Sequence, residues 1–446
     1  MRMRNHFFST FLGASQVFLL LLFCTQSGSA QQNQTLKFSL TEAQEYAVQN
    51  NVERRNAALD VDIAKKKVWE TTASGLPQLS GGIDFQAILN DLPTLTFPGP
   101  NGQPMEVEVG EKVNTTFSIT ASQLIFSGPY IVGLQASKAY KNLSEIALQK
   151  TERDLKANVA SAYYTVLLLD ETSSILDSSV LNLRNTFKET EEMFKAGFVE
   201  EVVADQVKVS LSMVESSASE TRNQLQSAKN LLKFQMGIEN SGSIELTENL
   251  DGLLDGFAPE VDGAATLNPD QNVDLKIMSN QVELTSLQLK LEKSNFLPNI
   301  AGFVMYQKLA KEPEINFTPT ALAGVNLSLP IFSSGMKRSK VQQAQIALEK
   351  SRNSYEQVRQ SLEMELADAT AQLAVAWEKF QSQKENRDLA KKVYHNYRVR
   401  YSKGVASQQD LIQANDKYLQ AVGNYMGTVV ELFNARLRVD KVMGKL

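Results

Sequence analysis

Thiol and imidazole groups are nearly absent from this sequence. Its 446 residues include one cysteine, Cys24, and two histidines, His6 and His395. Cys24 and His6 lie in a segment that we expect to be removed, so the remaining chain has no thiol for a disulfide. It also lacks the second His or Cys that a zinc site would need. Because His395 lies in a segment rich in Lys and Tyr, we expect it to be a surface residue.

Signatures of catalysis and of nucleotide binding are absent as well. The chain contains no phosphate-binding loop, no dinucleotide-binding glycine motif, no HExxH zinc motif and no nucleophile elbow. Carboxylates are plentiful, but they lie among Lys and Arg, which is typical of a solvated helix face. The net charge is -5 and no long basic block occurs, which argues against a nucleic-acid partner. We predict a protein that is not an enzyme and has no cofactor.

Long hydrophobic runs are confined to the beginning of the chain. Arg2 and Arg4 precede an apolar run over 18–23, and three small residues follow at 28–30. This pattern predicts a secretory signal peptide, residues 1–30. A membrane anchor is the alternative, but the run is too short to span a bilayer. After residue 30 no stretch approaches the roughly 18 apolar residues of a membrane helix, so a membrane-spanning part would have to consist of strands.

Proline is absent from two long stretches, Tyr130 to Ala258 and everything after Pro330. Because proline breaks helix interiors, both stretches permit very long helices. A helix over about 129–196 would be roughly 100 Å long. Steps of four and three separate its seam residues, which is typical of a left-handed coiled coil. Ten of these twelve positions are apolar: Leu155, Val159, Ala162, Val166, Leu169, Ser173, Leu176, Val180, Leu183, Phe187, Thr190 and Phe194.

The same seam returns 207 positions later, at Leu362, Leu366, Ala369, Leu373, Ala376 and Phe380. Other landmarks recur in the same order, including an Ile-Phe-Ser before each long helix and the tip glycines Gly197 and Gly404. These features predict an internal duplication, with repeats at 31–262 and 263–446. Each repeat begins with a moderate helix, about 41–74 or 270–295. Two alternating segments and a long helical hairpin follow, and the hairpin turns at its glycine.

Period-two alternation predicts the strands. One face of each segment is mainly apolar: Leu79, Gly81, Ile83, Phe85 and Ala87; Val113, Thr115, Phe117, Ile119 and Ala121; Ala321, Ala323, Val325, Leu327 and Leu329. Leu322 interrupts the polar face of the last of these segments. A fourth segment, at 300–307, alternates poorly. Residues 93–104, between the first two segments, are predicted to form a turn-rich loop. A small soluble sheet fits these strands as well as a membrane barrel does. Secretion, strand length and the adjoining helices favour the barrel.

Four strands cannot close a barrel, and lipid does not tolerate an open edge. The chain must therefore form an oligomer. Two, three or four copies are compatible with the sequence, and three would supply twelve strands.

This layout resembles the outer membrane efflux protein (TolC-like) family. The resemblance rests on the signal peptide, the duplication, the Leu-Pro before the first strand of each repeat, Leu329-Pro330-Ile331-Phe332-Ser333, and the segment from Tyr401 to Leu411. It implies a mainly α protein whose coiled-coil hairpins form an α-barrel in the periplasm. It also implies a homotrimer whose four strands per chain form a 12-stranded β-barrel in the outer-membrane lipid of a Gram-negative bacterium. A periplasmic adaptor and an inner-membrane pump are the implied partners.

The resemblance also implies a periplasmic gate at the hairpin tips. Asp410 matches a position where family members form a ring of aspartates, and Tyr401 matches the tyrosine of a polar contact network. Gln413 stands where some members have a second aspartate. In the first repeat Val203 replaces a common acidic residue, and Asp205 lies two positions further on. Gly197 and Gly404 mark the tips and the expected surface for adaptor docking.

Three functional hypotheses follow. The first is an outer-membrane export duct of a tripartite efflux or type I secretion system. The second is a periplasmic coiled-coil adaptor or scaffold, although adaptors usually carry one hairpin and this chain predicts two. The third is a secreted helical enzyme, which would need a cluster of titratable groups that the sequence does not display. We favour the export duct.

Overall fold

The computed structural model describes residues 36–98, 102–255, 257, 266–312, 316 and 318–446. The predicted signal peptide, residues 1–30, lies outside the described residues. Those residues form eight helices and eight strands: β1 Leu36–Phe38, α1 Leu40–Asn50, α2 Val52–Ala73, β2 Gln78–Ala87, β3 Thr94–Pro98, β4 Pro104–Glu108, β5 Val113–Ser127, α3 Gly128–Lys195, α4 Glu201–Met236, β6 Ile244–Leu246, α5 Leu250–Asp255, α6 Val273–Ser294, β7 Asn299–Leu309, β8 Ala321–Ser328, α7 Met336–Ser402 and α8 Gln408–Met443.

The two predicted long helices are present. α3 has 68 residues and α7 has 67. α3 begins where the Ser127 hydroxyl accepts a hydrogen bond from the backbone N–H of Tyr130, with Pro129 in its first turn. α3 pairs with α4 and α7 pairs with α8, so each repeat contains a helical hairpin. No helix in the described part of the chain is long and apolar enough to cross a membrane.

Most of the predicted seam residues line the interior of these helix pairs, although Phe194, at the end of α3, is exposed. On α3, Val159, Val166 and Leu183 are buried, and Leu211 and Val214 of α4 pack with Val180 and Leu183. The second seam is buried in the same way. Leu366, Ala369, Leu373, Ala376 and Phe380 of α7 lie in the protein interior, most of them packed against α8. The period of the sequence therefore identified the packed face of each long helix.

The single helix predicted over 41–74 is wrong, because Asn51 divides it into α1 and α2. Asn51 has an extended backbone conformation, with φ -64° and ψ 136°. Its side-chain oxygen accepts hydrogen bonds from the backbone N–H groups of Glu53 and Arg54, which caps α2. A capping asparagine does not interrupt an apolar period, so the period alone could not reveal this break.

The main sheet has four antiparallel strands in the order β2-β5-β7-β8. β2 follows α2, β5 precedes α3, β7 follows α6 and β8 precedes α7. Those four helices pack side by side in the same order, α2–α3–α6–α7. Each strand of the sheet is therefore connected to the helix that has the same place in the order. The sheet and the helix layer form the two ends of one continuous structure.

The four predicted strands are present, and two other points need correction. The segment at 300–307, which is predicted as a strand although it alternates poorly, forms the full strand β7. The predicted turn-rich loop contains a two-stranded hairpin, β3–β4. Two further short strands, β1 and β6, pair in parallel far from the main sheet. Only four of the eight strands in the described residues thus belong to the main sheet. The short strands were missed because three to five residues carry little periodic signal.

In each repeat the end of the return helix of the hairpin, α4 or α8, meets the start of the helix that leads into the sheet, α2 or α6, through equivalent contacts. The Asn51 side-chain amide donates to the carbonyl of Gln235, and that of Asn272 donates to the carbonyl of Val442, both at 2.8 Å. Beside each asparagine a glycine ends the return helix in the left-handed region: Gly237 at φ 73° and Gly444 at φ 72°. The duplicated sequence therefore builds the same junction twice.

A buried ion pair connects α3 to α6 and so joins the two repeats. Arg153, whose side chain is 3% exposed, donates to Asp274 at 2.7 Å, and Lys150 also donates to Asp274. Burial disfavours the charged form of Asp274. The hydrogen bonds and charges of Lys150 and Arg153 outweigh that effect and hold the pKa of Asp274 below its ordinary value.

Replacing Asp274 with Asn is expected to lower the free energy of unfolding by about 2 kcal/mol at neutral pH, because Lys150 loses its charged acceptor and Arg153 keeps only Asp154. A depressed pKa stabilises the fold above the unfolded-state value, near 3.8. That stabilisation is lost as the pH falls through the folded-state pKa. Urea unfolding from pH 7 to pH 2 should therefore show the difference between wild type and variant shrinking at acid pH. Asp170→Asn, at an exposed carboxylate, is the control. A difference that is independent of pH would contradict the ion-pair account.

Candidate functional site

One face of the main sheet is apolar and exposed. Directly paired residues of antiparallel strands share a face, so the register fixes its membership: Leu79, Ile83, Phe117, Ile119, Val304, Tyr306, Val325 and Leu327. These side chains are exposed, Ile83 at 69% and Val325 at 67%. The opposite face carries mainly Ser, Thr, Asp, Gln and Asn, with Phe303 of β7 among them. Leu322, which interrupts the polar alternation of β8, lies opposite Met305 of β7.

Both edges of this sheet are open. β2 pairs only with β5, and β8 only with β7, among the strands of the described residues. The helix beside the first edge also exposes large apolar side chains among its charged ones: Leu59, Ile63 and Trp69 of α2 are each about 60% exposed. An isolated soluble protein rarely leaves a long strand edge and an adjoining apolar surface uncovered.

The two hairpin tips are equivalent turns. Gly197 (φ 79°) and Gly404 (φ 71°) both adopt the left-handed conformation that favours glycine. One residue further on, the N–H of Phe198 bonds the carbonyl of Met193, and the N–H of Val405 bonds that of Arg400, both at 2.9 Å. This six-to-one bond is the Schellman motif of a helix end. The predicted turns at both glycines are therefore present.

The tips differ where the return helix begins. α8 begins with a capping box, in which the Ser407 hydroxyl donates to the Asp410 carboxylate at 2.6 Å and accepts from the Asp410 backbone N–H. The equivalent residue of α4, Glu200, makes no side-chain cap. Asp410 is exposed, and with Gln413, Lys417, Gln420 and Asn424 it forms a polar stripe along α8.

The predicted gate residues are not assembled into one cluster in the single chain. Tyr401 is half-buried at the end of α7, whereas Asp205 is exposed on α4. No hydrogen bond or ion pair in the described residues joins Asp410 to Tyr401, Gln413 or Asp205. A cavity of 870 Å³ opens between the two tips. Tyr401, Gly404 and Gln408 help to line it, and Asp410, Gln413 and Asp205 do not.

A buried polar contact ties the two hairpins together beside this cavity. The Thr190 hydroxyl of α3 shares its hydrogen between the carbonyl of Thr186 in its own helix, at 2.8 Å, and the side-chain oxygen of Gln408 on α8, at 3.1 Å. The Tyr401 hydroxyl lies 3.5 Å from the Thr190 hydroxyl. A second contact of the same kind joins Ser179 to Asn415 at 3.1 Å. Both amide nitrogens are buried without a hydrogen-bond partner in the described residues. We call these two contacts, Thr190–Gln408 and Ser179–Asn415, the cross-hairpin ties.

The sequence profile of the family described as Outer membrane efflux protein matches residues 44–237 and 269–445. The two matched segments cover most of both repeats.

The chain belongs to this family.

Relatives support the assignment along most of the chain. The cobalt-zinc-cadmium resistance protein CzcC of Cupriavidus metallidurans is 22% identical over 394 residues, which is 87% of this chain and 89% of CzcC. A crystal structure of CusC superposes with a TM-score of 0.72 at 18% identity, over 91% of this chain and 92% of CusC. The Campylobacter jejuni CmeC outer membrane channel gives 0.69 at 17% identity, over 91% and 85%. These structures confirm the fold.

Family membership confirms the predicted function and location. The protein is an outer-membrane efflux channel of a Gram-negative bacterium, with its helical tunnel in the periplasm, and it is an export duct rather than an enzyme. Family members are trimeric channels that work with adaptor proteins and inner-membrane pumps. The alternative of a periplasmic adaptor or scaffold is thereby set aside.

Sequence reasoning missed the cross-hairpin ties, although a signal for one of them was present. Only two of the twelve seam positions on α3 are polar, Ser173 and Thr190. A polar residue in an apolar seam has to find a partner, because burying an unpaired hydroxyl is unfavourable. The partner, Gln408, lies 218 positions away. The pattern of one helix could not identify it.

Proposed function

We propose that three copies of this chain form one duct, with twelve strands closed into a barrel. The main observation in support is the four-stranded sheet with two open edges, whose strand order repeats the order of the helices below it. In a ring, the β8 edge of one copy would pair with the β2 edge of the next. This closure satisfies the backbone groups that lipid cannot, and three copies supply enough strands for a barrel.

The faces of the sheet fit such a barrel. Its apolar face, which includes Ile83, Phe117 and Val325, would contact lipid, and its polar face would line the lumen. The α3–α4 and α7–α8 hairpins would extend the duct into the periplasm. α3 alone is about 100 Å long at 1.5 Å per residue, so the tips at Gly197 and Gly404 lie far from the sheet. We assign the docking of an adaptor, and through it of a pump, to these tips.

We assign the gate to the start of α8. Three Asp410 carboxylates on the polar stripe would form a ring at the narrow end, with Gln413 as a second ring one turn further. Tyr401 joins the contacts between the hairpins, and Asp205 adds negative charge from α4. Rings of carboxylates attract cations. CzcC is named for resistance to cobalt, zinc and cadmium. We therefore propose divalent metal cations as the first cargo class to test.

Replacing Asp410 with Asn is expected to reduce cation selectivity and to weaken block by Co²⁺ at least tenfold, because the ring loses its charge while its shape is kept. The measurement is single-channel conductance of the purified trimer in a planar bilayer, with reversal potentials in a KCl gradient. Ser407→Ala is the matched control. It removes the capping box at a cost of about 1 kcal/mol but leaves the carboxylate.

Three outcomes separate the parts of this proposal. Conductance steps whose selectivity changes in Asp410→Asn but not in Ser407→Ala support both the duct and the gate. Steps that are identical in all three proteins support the duct and remove Asp410 from the constriction. If the purified protein is monomeric and produces no steps, the closed trimer is wrong.

A further inference from the structure

A second cavity lies between the hairpins, next to the tip cavity along α7. It has a volume of 590 Å³ and is bounded by α3 on one side and α7 on the other. Tyr418 of α8 lines it and stacks on Tyr394 of α7, with ring centroids 5.7 Å apart and planes inclined by 7°. A stacked aromatic pair is a firm wall for a small-molecule site.

Positively charged groups converge on this cavity. Lys391, Lys392 and Arg398 line it together with His395, the only histidine after the predicted signal peptide. None of the three cations forms a salt bridge within the described residues. In the described part of the chain Arg398 makes one hydrogen bond, donating to the side-chain oxygen of Asn182 on α3 at 3.4 Å. The α7 side of the cavity therefore presents three positively charged hydrogen-bond donors that have no carboxylate partner in the described residues.

The Asp388 carboxylate, which also lines the cavity, does not neutralise these three positive charges. Asp388 is the acidic residue of the cavity, and Arg387 already pairs with it at 2.7 Å. On the opposite wall, the Ser174 hydroxyl makes no hydrogen bond in the described part of the chain and is free to donate. In a protein of net charge -5, this is a local concentration of positive charge facing hydroxyl groups.

We propose that this cavity binds a small multivalent oxyanion, one that carries phosphoryl or carboxylate groups. Lys and Arg are the side chains that recognise such groups, and they do so most strongly when several converge. The volume lies within the range of small-molecule sites, roughly 300–1,000 Å³. A bound anion would contact Lys391, Lys392 and Arg398 of α7 and the Ser174 hydroxyl of α3. It would therefore join the two hairpins on the sheet side of the tip cavity.

The test is isothermal titration of the full-length trimer in detergent, with pyrophosphate as the phosphoryl probe and citrate as the carboxylate probe. Ionic strength is held constant with chloride. We expect saturable binding of one anion per chain. The cavity variant Lys391→Gln/Lys392→Gln/Arg398→Gln should raise the dissociation constant at least tenfold. Arg398→Lys, which keeps the charge, should retain binding.

The matched control is Lys340→Gln/Lys350→Gln/Arg352→Gln. It removes three exposed positive charges from the same helix, outside the cavity. Binding that is weakened equally in the control and cavity variants would reduce the effect to net charge and overturn the site. Absence of saturable binding to either probe would also overturn it, even if an acidic helical peptide bound there. These binding measurements do not depend on conductance, so they stand or fall separately from the duct.

Discussion

Replacing Gly237 with alanine is expected to lower the free energy of unfolding by about 2–5 kcal/mol. Two costs add. The left-handed conformation at φ 73° costs a residue with a Cβ about 1–2 kcal/mol. The new Cβ would also lie 2.6 Å from the carbonyl oxygen of Asn50, a backbone atom that cannot rotate away. Overpacking of this kind costs about 1–3 kcal/mol. Urea unfolding followed by circular dichroism measures the loss.

Gly197→Ala is the matched control for this prediction. Gly197 has the same backbone conformation, at φ 79°, but a Cβ there would meet nothing within 4 Å. We expect it to cost only the conformational part, about 1–2 kcal/mol. Equal losses in the two variants would show that the close contact of Gly237 with Asn50, at the end of α1, is unimportant.

Replacing Thr190 with valine is expected to open the channel. Valine keeps the shape of threonine and removes the hydroxyl, so the Gln408 amide loses the one partner it has in the described residues. An unsatisfied buried polar group costs about 1–3 kcal/mol. Because the tie joins α3 to α8, this cost destabilises the closed channel, in which the two hairpins are packed together, relative to the open channel. Each 1.4 kcal/mol corresponds to about a tenfold change in the ratio of the two states. Single-channel recordings should show open time increased by about that factor.

Thr186→Val is the control on the same helix. The Thr186 hydroxyl donates only to the carbonyl of Asn182 within its own helix, at 3.0 Å. Its loss leaves the contact between the hairpins intact, so open time should stay at the wild-type value. If Thr190→Val likewise left open time unchanged, the tie would be structural and would have no part in gating.

The two ties place the weakest part of the helical layer between the repeats. Within a repeat, α3–α4 and α7–α8 are held by buried apolar clusters. Towards the tips, between repeats, α3 meets α8 through the hydroxyl–amide contacts, whose amide nitrogens are unsatisfied, and through the partly buried Leu419 of α8, which packs against the cluster that contains Val180 and Leu183. Such contacts contribute little net free energy and can be exchanged for contacts with water. A movement of one hairpin against the other would therefore break these contacts between the repeats before either hairpin came apart.

Local features of the sequence predicted the elements that depend on local features. The absence of proline and the seam of Leu155, Val159 and Val166 gave the long helices and their buried faces, because helix period and packing face are properties of one segment. The 207-residue offset gave the duplication. Alternation at Leu79–Ala87 gave β2, and the tip glycines gave both turns. The break at Asn51 was not predicted, because a capping side chain leaves the apolar period unchanged.

The sequence by itself determined the helical hairpins, the four strands of the sheet and membership in a family of ducts. Only the tertiary structure decided which groups face one another. It paired Thr190 with Gln408, brought Lys391 and Arg398 to the same cavity as Ser174, and left Asp410 exposed on the stripe of α8. The physical reason is the distance along the chain. Periodicity is set by neighbours a few residues apart, whereas a contact across 218 positions depends on how complete helices pack and in which register.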